Sequence, residues 1–238
     1  MLATKSLNYN LFESDAGQLS FNYLWETIKN TPYSGDVSRG FQAVSADGQQ
    51  ASGTYVKRTP TSIAQFNAQK QSFEDITFYV YQRIPFQVFY AEGLVQVVGN
   101  SVQSAAFRSI FREIFKGISI SIRPVAVTPG SIISWFRGSG TRYSIEQMTI
   151  ANFRHREGII GTYSLRVGSS DLIPSLLREY EGDITRATIH GTTPEVGDFS
   201  IVITNSGTVR VGYFEEYESQ VVNLVKRIVE STVLAERK

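Results

Sequence analysis

Arginines set among aromatic side chains are the residues of this chain best suited to do chemistry. Arg137, Arg142, Arg154 and Arg156 fall in one stretch with Trp135, Phe136, Tyr143 and Phe153. Guanidinium groups contact phosphates and aromatic rings stack on bases, so the pattern points to nucleic acid. The competing reading is a solvated loop over buried aromatics. Catalytic constellations are lacking in the sequence. The two histidines, His155 and His190, have no metal-ligand spacing, and His155 stands between Arg154 and Arg156. No glycine-rich phosphate loop, nucleophile elbow or paired-carboxylate signature occurs. Asp75 and Asp183 read as turn carboxylates at strand starts. Binding is therefore expected rather than catalysis, without cofactor or metal, and an enzymatic role stays open.

Composition sets outer bounds on these residues. The 238 residues are 42% hydrophobic and 19% charged, the balance of a globular protein. A net charge of +1 gives no overall pull toward nucleic acid, so any such surface must be local. With no cysteine there is no disulfide or thiolate chemistry. No apolar run reaches the roughly 18 residues that suggest a membrane span, and Met1–Asn10 lacks a signal-peptide layout. A cytoplasmic location and no membrane contact are the default expectations.

The elements that must position the arginines come as a repeat. Gly53-Thr54-Tyr55 recurs 108 residues later as Gly161-Thr162-Tyr163, and Arg58, Ser62 and Asp75-Ile76-Thr77 follow in the same register. Trp25, Thr31, Tyr33 and Ser34 lie 110 residues before Trp135, Thr141, Tyr143 and Ser144. Gly93, Val95, Val97 and Ile114 lie 114 residues before Gly207, Val209, Val211 and Ile228. This implies a tandem duplication, with a first repeat over 1–117 and a second over 118–238. In the second repeat, residues 161–167 read as a strand, 172–180 as a helix and 184–190 as a strand. A hairpin over 199–213 turns at Asn205-Ser206-Gly207, and a helix covers 215–229. In the first, a strand over 53–57, a helix over 62–71 and a strand over 76–81 precede a hairpin around Gly93 and a helix over 102–115. The repeat is strand–helix–strand–hairpin–helix, and the fold class is α+β.

That order, given twice, resembles the saddle of the TATA-box-binding protein and its fold relatives. The closest local match is the loop Thr204-Asn205-Ser206-Gly207, the strand Thr208–Gly212 and the acidic helix start after it. The resemblance implies a curved antiparallel sheet, pseudo-twofold, with helices on one side and an open face toward DNA. On that face it places Thr208, Arg210 and Gly212 with Ser200, Val202 and Thr204. In the first repeat it places there Leu94, Gln96 and Val98 with Phe86, Val88 and Tyr90. Val95, Val97, Val209 and Val211 would face the helices. The family's phenylalanine wedges, which unstack base steps, correspond to Tyr90 and Thr204, a departure that argues against TATA-type kinking.

Two functions are expected from different classes. One is a non-enzymatic accessory protein that binds DNA or RNA through Arg210, Thr208, Arg186, Gln96 and Tyr90, with Arg137, Arg142, Arg154 and Arg156. The other is a protein-interaction or assembly subunit, a homo-oligomer included, motivated by the near-neutral charge and the apolar open face of the first repeat.

Overall fold

The computed structural model of the protein describes residues 1–14, 19–156, 159–167, 172–180 and 183–236. Its class is α+β: eleven strands and five α-helices among the described residues, with every assigned strand pair antiparallel. No helix is long and apolar enough to cross a membrane. The chain forms two compact units.

The unit of residues 12–97 and 105–122 is built on the strands β2 (Arg39–Asp47), β3 (Gln50–Asn67), β4 (Ser72–Phe89) and β5 (Leu94–Val98), in that order. Helix α1 (Phe21–Lys29) begins where the Ser20 side chain accepts a hydrogen bond from the Tyr23 backbone N–H, satisfying one otherwise orphaned donor. Helix α2 (Ser101–Ile114) contributes Phe107, Ile110 and Phe111, spaced for one buried face. These rings pack on Phe41, Tyr55, Phe86, Val88, Val95 and Val97. Phe107 lies 4.9 Å from Phe86 between ring centroids, within the range of favourable aromatic pairing.

Expectation and structure part at residues 62–71. The helix expected there is the end of an 18-residue strand and a turn. β3 and β4 pair without a break from Gln50↔Phe89 to Asn67↔Ser72. Thr59, Thr61 and Ile63 are β-branched and favour extended backbone, which a short amphipathic pattern does not override.

The second unit holds residues 1–11, 98–104 and 123–238. The start of β1 (Leu2–Ser14) pairs with β11 (Val209–Phe214), followed by β10 (Gly197–Thr204), β9 (Ile184–Thr193), β7 (Arg142–Arg156) and β8 (Ile159–Arg166). Helix α3 (Pro129–Ser139) starts with a reciprocal Thr128–Ser131 capping box and stops at Gly140, whose φ of 69° suits a residue without Cβ. Helix α4 spans Ile173–Tyr180; Ser169, Ser170 and Asp171, residue types suited to cap it, and Gly182, suited to end it, lie outside the described residues. Helix α5 (Glu218–Glu236) buries Val221, Leu224, Val225 and Ile228. The strand β6 (Ile120–Pro124) follows the expected repeat boundary at 117/118.

Sequence matches fall unequally on these elements. Trp25 and Trp135 both lie on the first helix of their half, and Gly93 and Gly207 both close a hairpin before a helix. Gly53 and Gly161, by contrast, lie on β3, paired on both sides, and on β8, paired with β7 alone among the described residues.

Candidate nucleic-acid interface

Sheet alternation decides which side chains share a face in the second unit. Ser200 lies opposite Gly212 and Val202 opposite Arg210, while Ile201 faces Val211 and Ile203 faces Val209. The second set is buried at 0% exposure, and Arg210 is exposed. β1 extends the polar face, because Thr4 pairs with Gly212 and Ser6 with Arg210. β9 extends it on the other side through Arg186, opposite Thr204.

These residues enclose a shallow cleft of about 380 Å³. Arg186 and Arg210 supply its charge, and Thr4, Ser6, Ser200, Thr204 and Thr208 supply five hydroxyls. No carboxylate lines it. Neither guanidinium has an ion-pair partner among the described residues. Two of the hydroxyls are held in place: Thr208 Oγ1 donates to Asn8 Oδ1 at 2.9 Å, and Asn8 Nδ2 donates to the Gly99 carbonyl at 2.6 Å. Thr204 Oγ1 and Ser206 Oγ lie 2.7 Å apart. Gly212 keeps the floor open, since a Cβ there would fall 2.5 Å from Ser200 Oγ. Two guanidiniums without ion-pair partners among the described residues, beside five hydroxyls, present donors of the kind that suit phosphate oxygens.

Two acidic groups of this unit meet β9 further along, while Asp183 precedes its start and accepts from Asn152 Nδ2 at 2.9 Å. His190 Nε2 lies 2.8 Å from Glu146 Oε2, and Thr192 Oγ1 donates to Asp198 Oδ1 at 2.6 Å. The hydrogen bond with His190, and then its charge, hold the Glu146 carboxyl below the usual carboxylate value. Among the described residues no group of three acidic, histidine or cysteine side chains could hold a metal ion.

Of the residues expected at the site, the structure gathers Arg186, Arg210 and Thr208 into one cleft. It separates the others. Gln96 is buried at 4% exposure instead of facing out. The register explains this: Phe86 pairs with Val97 and Val88 with Val95, so Phe86 and Val88 face the helix-side core with the valines. Gln96 stands opposite Gln87 on the other face, beside Leu94, which is also buried. Tyr90 is fixed inside its own unit, donating its hydroxyl to the Leu19 carbonyl at 2.6 Å and packing on Phe21. The apolar open face expected of the first repeat is thus a buried one.

The arginine–aromatic stretch is also dispersed. Arg142 starts β7 and Arg154 lies twelve residues on, about 40 Å along an extended strand. Arg137 ends α3. Phe136 is a core residue at 1% exposure, stacked on Phe199, and Phe153 packs on Tyr163 and Tyr180. These two rings are committed to packing. Arg142 lines a separate cleft of about 690 Å³ with Trp135 and the Glu195 carboxylate. The backbone of Arg156 ends β7, and its side chain lies outside the described residues.

Sequence reasoning missed Thr4 and Ser6. A signal was present, because Ser6, Asn8 and Asn10 alternate with Leu7, Tyr9 and Leu11, the pattern of a two-faced strand. No protein-family model matches the chain, and no curated protein sequence matches it.

Proposed function

We propose that this is a non-enzymatic accessory protein that binds nucleic acid through the sheet face of its second unit. The carrying observation is the cleft in which Arg186 and Arg210, both without ion-pair partners among the described residues, stand among five hydroxyls with no lining carboxylate. Phosphates fit this site on charge and on hydrogen-bonding capacity. The stacking role expected of Phe136 and Phe153 is dropped from the reading, as are Gln96 and Tyr90. DNA and RNA backbones offer the same oxygens, and discrimination rests on contacts outside the cleft.

Part of the proposal is evolutionary. The two halves are read as diverged copies of one unit, of the kind found in the TATA-box-binding-protein saddle. Support comes from the matched tryptophans on α1 and α3 and from the matched hairpin glycines. The 108-residue match gives no support, since it joins strands with different pairing.

The test is a fluorescence-anisotropy titration of labelled duplex DNA, single-stranded DNA and RNA at low salt. Binding of at least one polymer, lost on raising salt, is expected. No binding to any of them at low salt overturns the proposal.

A further inference from the structure

Among the described residues, exposed large apolar side chains concentrate on the outer half of the β3–β4 hairpin. Beyond Arg58 and Tyr81 the two strands form a ribbon whose only ladder is with each other, because β2 pairs with β3 no further than Lys57 and β5 pairs with β4 only over Phe86–Phe89. A lone two-stranded ribbon is marginally stable in water. This one also exposes eight large apolar side chains, from Phe78 at 41% to Phe73 at 72%. By alternation four lie on each face of the ribbon and leave on the order of 400–500 Å² open per face, at the upper end of an ordinary monomer patch.

Prolines fix where the peptide groups point. Pro60 stands opposite Tyr79, and Pro85 opposite Thr54, within one unbroken register. Neither has an N–H to give, so both pairs are of the non-hydrogen-bonded kind. The Arg58 N–H agrees, since it points away from β4 and donates to the Ser38 carbonyl at 2.7 Å. Counting by twos, the N–H groups of Phe73, Asp75, Thr77, Tyr79 and Tyr81 point to the free edge of β4. The two edges are then unequal. β3 carries Pro60 at an outward position, a common guard against edge pairing. β4 carries no proline or lysine between Ser72 and Arg83, and Ile76–Tyr81 is an uncharged run of strongly β-prone residues.

We propose that this edge of β4 pairs antiparallel with the same edge of a second copy of the chain. A twofold pairing that uses the whole edge from Ser72 to Gln82 is centred on Thr77. Thr77 then meets Thr77 of the second copy, Ile76 meets Phe78, and Phe73 meets Tyr81, all favourable cross-strand pairs. Asp75 falls opposite Tyr79 and Glu74 opposite Val80, so no like charges oppose each other. The arms become a four-stranded sheet, β3–β4 from each copy. The proposal is independent of the Arg186–Arg210 cleft.

Sedimentation of the full chain between about 1 and 100 µM tests it. Ser62 and Thr77 form one cross-strand pair with their hydroxyl oxygens 3.0 Å apart, so they give matched substitutions on opposite edges. The wild type is expected to dimerise, Ser62→Pro to dimerise equally well, and Thr77→Pro to weaken the dimer about a hundredfold. Cysteine substitutions check the geometry without a proline, in a chain with no other cysteine. Thr77→Cys should oxidise to a covalent dimer, its paired Cα atoms lying about 5.5 Å apart, and Ser62→Cys should not. A wild type that stays monomeric, a Thr77→Pro dimer of unchanged affinity, or equal cross-linking from Ser62→Cys would each overturn the proposal.

Discussion

The hairpins that close at Gly93 and Gly207 carry matched residues and present them differently. In the first, Phe89 pairs with Leu94 across four loop residues, 90–93. In the second, Ile203 pairs with Val209 across five, 204–208. One extra loop residue shifts the register of the preceding strand by one, and a one-residue shift moves every side chain to the other face. Phe86 and Val88 therefore share a face with Val97 and Val95, whereas their counterparts Ser200 and Val202 share one with Gly212 and Arg210. The lesson is that loop length, rather than the Val-x-Val pattern common to both strands, decides what stands beside the central residue. At Gln96 the result is a buried strand, and at Arg210 an exposed cation.

Introducing the charge of one hairpin into the other should break the comparison most severely. Gln96→Arg would place a guanidinium where exposure is 4%, and burying a charge without a partner costs about 3–5 kcal/mol. Urea denaturation should show that loss. A variant as stable as the wild type would mean that Gln96 and Arg210 are equivalent after all.

Truncating the helix-facing side of β11 should have the next largest effect. Val211 is fully buried, and Val211→Ala is expected to cost about 1–3 kcal/mol by the same denaturation measurement. Nucleic-acid affinity of the folded fraction should stay unchanged. A loss of affinity with no loss of stability would reverse the two faces.

How far these faces were legible in the sequence depends on the strand. Val209, Arg210 and Val211 alternate between hydrophobic and charged, and their burial follows directly. Residues 94–98 lack that contrast, and both of their faces are buried through Val97, so sequence periodicity had nothing to separate. At 62–71 the pattern suggested a helix, yet pairing of residues 62–67 with β4 determined the structure. The cleft was half legible. Its arginines could be identified from β9 and β11, while Thr4 and Ser6 arrive from the far end of the chain by strand pairing.

The smallest effect concerns the helix side of β1. Lys5 pairs in register with Val211 and donates to Glu218 at the start of α5. That hydrogen bond, set against a smaller cost of burial, holds the Glu218 carboxyl below its usual 4.5. A depressed carboxylate contributes stability that is present above about 4.5 and lost as pH falls through the lower folded value. The pair is half exposed, so its contribution is at most about 1 kcal/mol. Glu218→Gln should lower stability slightly at pH 7 and flatten its decline below pH 4.5, as followed by thermal melts across that range. An unchanged pH profile would remove the pair from the account.

The central claim is that Arg186 and Arg210 hold phosphates on the second unit. The most direct measurement is the salt dependence of nucleic-acid affinity for the wild type and for Arg186→Ala/Arg210→Ala, with stability recorded alongside. Both arginines are exposed, so each substitution should change stability by less than about 0.5 kcal/mol. The double variant should bind more weakly, with a log–log salt slope shallower by about 1.8, or about 0.9 for each phosphate no longer neutralised. Equal affinity and an equal slope in wild type and variant would contradict the claim.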